Sequence, residues 1–257
     1  MTSPTTTARE NLIFIPGILS DGSFWQHQSR LLSGLADCSS IEWSLENSLA
    51  AMAETVLSSA SYLPGAPKRV SLVGHSMGGQ VALEVYRLKP QRVARIALLN
   101  APTGNPSNEE IQWLNALLNL PFPSALPIPW QPHVERMRGM AQKWLQPTIH
   151  PDRFADTAFL YPAIDRIARC SRQMVLAQYE AMLLRGDRSS VLEGIRCPVL
   201  LLTGHEDTRC PPVRYAEMAP KIPGCRLIVV PDCGHMSPLE RPEAVAEALH
   251  DWLLAPL

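Results

Sequence analysis

The sequence contains no apolar run approaching the roughly 18 residues a membrane-spanning helix requires, and Met1 to Glu10 is polar and threonine-rich with no basic region leading into an apolar one. Neither a membrane span nor a secretory leader is expected, and the opening residues read as a short frayed arm of a cytoplasmic protein. An excess of charge of one sign is also missing, since 23 basic residues face 24 acidic ones for a formal net charge of -1. Nucleic acid and anionic membranes therefore have no electrostatic claim as partners, which leaves small-molecule chemistry. The six cysteines, Cys38, Cys170, Cys197, Cys210, Cys225 and Cys233, include no CxxC pair. No histidine stands at ligand spacing from Cys225 and Cys233, so no metal and no disulfide framework is expected. Internal repeats and linkers are absent as well.

What is present suits one α/β domain with an insertion. A chain of 257 residues with 46% hydrophobic and 18% charged residues can bury a sizeable core. Leu12 to Ile15, Arg69 to Val73, Val93 to Leu99, Val199 to Leu202 and Arg226 to Val230 are short apolar runs bounded by turn residues, the pattern of strands buried on both faces. A weaker strand is expected at Ser39 to Trp43. Helical spacing of apolar residues fills the gaps, over Asp21 to Leu35, Leu45 to Ser61, Met77 to Leu88, Pro212 to Ala219 and Pro242 to Leu254. Strands alternating with helices imply a mostly parallel sheet with helices on both faces.

The alternation stops between Pro102 and Ser190. Helical patterns cover Glu109 to Leu120, His133 to Leu145 and a long stretch from Ile164 to Leu184, with a proline-broken segment from Pro121 to Pro132. Residues 1–102 and 191–257 are thus expected to form the core, and 103–190 a helical cap lying over the sheet edge. Trp113, Leu114, Leu117, Leu118, Phe122, Trp130 and Trp144 in that insertion form either an apolar pocket wall or the insertion's own packing surface.

Gly74-His75-Ser76-Met77-Gly78-Gly79 matches G-x-S-x-G and falls between an expected strand and an expected helix, the setting in which this motif forms a sharp turn that presents the serine hydroxyl. Glycines are needed there because side chains would collide with the neighbouring strand and helix. The helix that starts after Ser76 points free N–H groups at the reacting centre, which makes the Met77 N–H one expected oxyanion donor.

A serine alcohol needs a histidine to take its proton and a carboxylate to orient that histidine. Of the seven histidines, His235 follows the last strand directly, where loops at strand carboxyl ends gather active sites. His27, His133, His150 and His250 sit on expected helices or in the insertion, His75 fills the turn as packing or pocket lining, and His205 adjoins the acid. That acid is Asp207, immediately past a buried strand, with Glu206 as the fallback. The order Ser76, Asp207, His235 is the one that distinguishes a particular serine-hydrolase fold.

These segments, GHSMGG at 74–79, TGHEDTRCPP at 203–212 and DCGHMSPLERP at 232–242, with PGILSDGSFW at 16–25, resemble the α/β-hydrolase superfamily across nearly the whole chain. The resemblance implies an eight-stranded type of sheet shortened at its start, an insertion after the sixth strand acting as a cap, and a second oxyanion donor on the first loop. Ile18 is the matching residue, but Pro16 stands where the family usually has histidine, so the donor is Ile18 or Leu19. Trp25 resembles the family's aromatic on the first helix. Leu19, Trp25, His75, Trp113, Leu117, Trp130 and Met236 are the expected pocket residues.

The implied activity is that of a carboxylesterase-like serine hydrolase that cleaves a small-molecule ester through an acyl-enzyme and needs no cofactor. Thioester cleavage, hydrolysis of a carbon–carbon bond beside a ketone, lactone opening and cofactor-free perhydrolysis use the same three residues. A ligand receptor that has lost turnover is the non-enzymatic alternative.

Overall fold

Five runs rich in branched and aliphatic residues and one mostly polar edge run become six parallel strands, and the chain order of those strands decides where a crevice opens. In the computed structural model, which describes residues 9–63, 65, 67–118, 141–142 and 144–256, with side chains left aside at 117 and 118, the sheet order is β2-β1-β3-β4-β5-β6. The strands are β1 (Glu10–Ile15), β2 (Ala36–Ser40), β3 (Val70–His75), β4 (Val93–Leu99), β5 (Val199–Gly204) and β6 (Arg226–Val230). Every pairing is parallel. Central β3 and β4 are buried along their whole length, as strands covered on both faces must be, whereas β6 at the sheet edge keeps Arg226 and Val229 exposed.

Strand–helix–strand steps are right-handed almost without exception. The chain runs from β1 outward through α1 (Gln26–Leu32) to β2, then back past β1 through α2 (Leu49–Ser61) to β3, and on through α3 (Met77–Leu88) to β4. This reversal puts α1 on one face and α2 with α3 on the other. Helix α2 packs against α3, while α1 packs against the final helix, Pro242–Leu254. The reversal also opens a crevice at the carboxyl ends of β1 and β3, the place where ligands bind in open α/β sheets.

Between β4 and β5 the described residues are helical. They form α4 (Asn108–Leu118), two 3-10 turns at Gln146–Thr148 and Pro151–Ala155, α5 (Thr157–Ala168), α6 (Arg172–Leu183) and the single turn α7 (Ser189–Leu192). Helix α4 packs on α6. After β5 come α8 (Pro212–Met218), then, beyond β6, α9 (Ser237–Glu240) and α10 (Pro242–Leu254).

Two expectations from the sequence are corrected. The long helix over Ile164 to Leu184 is two helices, because Ser171 caps α6 by accepting from the Met174 N–H at 3.1 Å and so starts a new axis. The edge strand is Ala36–Ser40 rather than Ser39 to Trp43. Ile41 and Trp43 are buried in the loop beyond it, where the Trp43 indole N–H reaches the Pro16 carbonyl at 3.1 Å. Their apolar character belongs to the core under that loop, whereas the strand itself is mostly polar. The proline-broken segment from 121 to 132 and most of the expected helix from His133 lie outside the described residues. No helix among the described residues is long and apolar enough to cross a membrane.

Candidate active site

All six strands point their carboxyl ends to one side, so the loops that leave them meet there. Ile18 follows β1, Ser76 follows β3, Asn100 follows β4, Asp207 follows β5 and His235 follows β6. Ser76 occupies a left-handed backbone conformation with φ 52° and ψ -117°, which non-glycine residues adopt only where the surroundings impose it. Its amide donates to the Leu99 carbonyl at 2.9 Å and its carbonyl accepts from the Gly79 N–H at 3.0 Å. Glycine is obligatory at 78, since a Cβ there would overlap the Ile15 carbonyl. Although Ser76 stands at the N-cap of α3, its side chain caps nothing. The hydroxyl is left for another partner.

That partner is His235, whose Nε2 lies 3.0 Å from Ser76 Oγ. On the other side of the ring, Nδ1 is 3.0 Å from both carboxylate oxygens of Asp207. A carboxylate on Nδ1 requires that nitrogen to carry the proton, which leaves Nε2 to accept from the serine hydroxyl. All three residues are buried. Burial penalises the Asp207 charge, but the His235 ring beside it, together with donors from His235, Asn100 and the Cys210 N–H, outweighs burial and holds the carboxyl at about 2.

Several residues whose roles no motif states build this arrangement. Asn100 donates to Asp207 Oδ2 at 2.9 Å and to the Gly234 carbonyl at 3.3 Å. The N–H groups of Arg209 and Cys210 donate to Asp207 Oδ1 at 2.8 and 2.9 Å. Glu240, wholly buried, accepts from the N–H groups of Gly234, Met236 and His150 at 3.0, 2.9 and 2.7 Å. The His235 N–H itself donates to the Thr148 carbonyl at 2.7 Å. His75 is buried with Nε2 2.8 Å from the His235 carbonyl, so it donates there. Burial first, and the nearby His235 second, lower its pKa to about 3 and keep the ring neutral.

On the first loop, Leu19 is itself left-handed at φ 58°, and its N–H is taken by Gln178 Oε1 of α6 at 3.0 Å. Neither the Ile18 nor the Met77 N–H has an acceptor among the described residues. A cavity of about 230 Å³ opens over Ser76 and His235, walled by Ile18 and Cys210 of the core and by Glu110, Trp113 and Met182 of the insertion. Of the expected pocket residues, Trp113 lines this cavity. Leu19, Trp25, His75 and Met236 are buried behind its wall instead. Trp25, for example, stacks on Phe14 of β1 with ring centroids 4.9 Å apart. Trp130 and the side chain of Leu117 lie outside the described residues. The wall is also less apolar than the tryptophans and leucines of the insertion suggest, because Glu109, Glu110, Arg209 and Arg214 share it.

Asp207, Cys210 and His235 bring one potential ligand atom each within 4.8 Å of one another. The donor set does not suit a metal. Burial and the Asp207 charge push the Cys210 thiol well above its ordinary value, which keeps it protonated, and both Asp207 oxygens already accept several N–H groups.

Comparison with known proteins places these features in a wider group. The model of the Alpha/beta hydrolase family matches residues 12–248. The chain is 30% identical over 203 residues to the dihydrolipoyllysine-residue acetyltransferase component of the acetoin cleaving system of Pseudomonas putida, covering 79% of this chain and only 50% of that protein. It spans about half the length of that relative. It is 28% identical to the pimeloyl-[acyl-carrier protein] methyl ester esterase of Aromatoleum aromaticum, over 75% of this chain and 77% of that one. A thermophilic esterase from Thermogutta terrifontis has the same fold, with a TM-score of 0.79 at 23% identity over 95% of this chain and 89% of its own.

Proposed function

Because the chain belongs to the Alpha/beta hydrolase family, we propose that it is a serine hydrolase that cleaves a carboxylic ester, or a related acyl bond, of a small molecule. The observation that carries this reading is the hydrogen-bonded series from Ser76 Oγ through His235 to Asp207, with 3.0 Å at each link, at the floor of a cavity.

In this mechanism Ser76 Oγ attacks the substrate carbonyl while His235 Nε2 takes its proton, and Asp207 holds the Nδ1–H and steadies the imidazolium. The tetrahedral oxyanion accepts from the N–H groups of Met77 and Ile18. Two features favour Ile18 over Leu19, namely that Ile18 lines the cavity and that the Leu19 N–H is already engaged by Gln178. The tetrahedral adduct collapses as His235 returns its proton to the leaving group. Water, deprotonated by the same nitrogen, then hydrolyses the acyl-enzyme and regenerates Ser76. No cofactor enters these steps.

Residues 103–190 act as a cap in this reading. Its support is that α4 and α6 supply one wall of the cavity and the loops after β1, β3, β5 and β6 supply the other. At about 230 Å³, the space lies near the small end of ligand pockets, which favours short acyl and alcohol groups. The six cysteines are all free thiols, which accords with a reducing compartment such as the cytoplasm.

Intact-protein mass spectrometry after a fluorophosphonate probe tests the reading. One adduct on Ser76, absent from Ser76→Ala, is expected, with loss of several orders of magnitude in ester turnover in that variant. Full activity in Ser76→Ala overturns it. A panel of esters, thioesters, lactones and β-ketone substrates, with peroxide as a competing acceptor, then separates the chemistries that share these three groups. Stable binding of a small molecule with no product released is the signature of a receptor.

A further inference from the structure

The largely buried arginines of this fold follow a rule. Arg95 holds Glu10 at 3.1 Å, Arg185 holds Glu110 at 2.5 Å and Arg188 holds Glu84 at 2.7 Å. Each removes a guanidinium from water only where a carboxylate receives it. Two partly buried arginines depart from this, Arg92, which at least donates to the Pro67 carbonyl, and Arg209. The Arg209 backbone N–H serves Asp207, but its side chain has no hydrogen bond and no ion pair among the described residues, and its Nε is buried without an acceptor.

The nearby carboxylates are already committed. Asp207 accepts from His235, Asn100 and two backbone N–H groups, and Glu110 is bound to Arg185. Glu109 has Ser107 and the Arg214 charge beside it. Burial lowers the Arg209 pKa, with Asp207 and Glu110 opposing, yet a guanidinium starts so high that it stays charged.

The position of this unpaired cation gives it a use. Arg209 lines the same cavity as Ser76 and His235, and its guanidinium carbon lies over the Trp113 ring, 4.5 Å from the centroid. Trp113 in turn stacks on Trp144 at 4.7 Å. The guanidinium therefore rests on a Trp113 ring that Trp144 in turn supports. A guanidinium with no carboxylate partner among the described residues thus stands on the wall of the space that holds the nucleophile.

We propose that Arg209 forms an anion-binding subsite, and that the compound cleaved at Ser76 carries a carboxylate which docks there while its ester carbonyl meets the serine. This inference rests on the hydrolase reading given above. An arginine fork matches a carboxylate in two-point geometry. Pairing offsets the penalty of the partly buried cation, so a charged substrate gains what a neutral analogue of the same size does not.

The test compares monomethyl glutarate with methyl valerate, which have the same chain length and differ in the terminal carboxylate. The expected result is a kcat/KM preference of at least about tenfold for the charged ester, falling by about tenfold to a hundredfold in Arg209→Gln and partly kept in Arg209→Lys. Calorimetric titration of glutarate into Ser76→Ala, and into Ser76→Ala combined with Arg209→Gln, reads the subsite without turnover; binding lost in the second protein is expected. Equal turnover of the two esters, or a ratio that Arg209→Gln leaves unchanged, overturns the subsite while fluorophosphonate labelling of Ser76 keeps the hydrolase reading standing. Failure of labelling together with failure to cleave either ester ends both.

Discussion

Asn100 and Asp207 are 107 residues apart in sequence, and the amide of one donates to the carboxylate of the other at 2.9 Å. The amide cannot be turned the other way, because Asp207 Oδ2 and the Gly234 carbonyl only accept, and Asn100 Oδ1 then takes the Ser237 hydroxyl at 2.5 Å. Asn100 is also left-handed at φ 50°, a conformation that asparagine tolerates better than most residues. One side chain thus joins the end of β4 to the acid loop and to α9.

Replacing it should therefore act on the acid and the backbone together. Asn100→Ala is expected to cost about 1–3 kcal/mol in urea unfolding and about tenfold in kcat. Asn100→Gly, which relieves the backbone but still lacks the amide, should recover part of the stability and little of the activity. Asp207 is held at about 2 against an ordinary 3.8, so its contribution is present above 3.8 and is lost as pH falls toward 2. Without the Asn100 donor the folded value should move up toward 3.8, so this contribution should be smaller and its loss complete at a higher pH. Unaltered acid unfolding in Asn100→Ala would show that the amide does not support the carboxylate.

His75 gives the stability profile a second acidic component. Its pKa falls from 6.5 to about 3 because the ring is buried, so the unfolded chain binds a proton that the folded one refuses. The sign follows: this contribution is complete above 6.5 and drains away as pH falls toward 3, at up to ~1.4 kcal/mol per pH unit. His75→Gln removes the titrating group and should flatten the stability curve across that interval by about one proton. Since the ring also donates to the His235 carbonyl, kcat should drop with KM less affected. A stability curve of His75→Gln parallel to that of the parent protein would refute this.

The contrast between motif residues and these supports explains what sequence can carry. Helices Met77–Leu88 and Pro242–Leu254 and strands Val93–Leu99 and Arg226–Val230 stand where the apolar period and the bounding prolines or turn residues put them, because both signals are local. Ser76, Asp207 and His235 are legible for the same reason, each lying just past a strand in a short recognisable segment. Asn100 and Gln178 are not, and Arg209 and Glu240, though they lie inside recognisable segments, show no role there, since a polar residue declares its role only through its partner. Gln178 sits in an apolar helix and meets the Leu19 N–H 159 residues away. Periodicity also reads through a cap, which is how Ser171 hides between two helices that share one stripe.

Glu240 illustrates that hidden layer and can be tested alone. Its Oε2 accepts from His150 and Gly234 and its Oε1 from Met236, so an amide in its place sets an N–H₂ group against at least one backbone N–H. Glu240→Gln is expected to lose about 1–3 kcal/mol of stability and to loosen the loop that carries His235. Burial raises the Glu240 pKa above 4.5, despite the three N–H donors. The folded carboxyl therefore binds its proton more tightly than the unfolded one, and its contribution is present below 4.5 and diminishes as pH rises through the raised value. Glu240→Gln should lack that downward component in a stability-against-pH titration; its persistence would assign it to another group.

The last prediction concerns the distance between the acid and the base. Gly204 ends β5 three residues before Asp207, and a Cβ on it would overlap the carbonyls of Cys233 and Gly234, the two residues before His235. Backbone cannot swing aside as a flexible side chain can, so Gly204→Ala must push the β5 and β6 ends apart, and the Asp207–His235 contact of 3.0 Å spans that gap. A loss of about 1–3 kcal/mol is expected from the crowding. The fall in kcat should exceed what that destabilisation implies at temperatures where the variant is folded. Gly34→Ala is the control, because nothing lies within 4 Å of its added carbon, and it should stay within about 0.5 kcal/mol of the parent. If Gly204→Ala matches Gly34→Ala in both melting temperature and kcat, close approach of the two loops is not what holds the imidazole against its carboxylate.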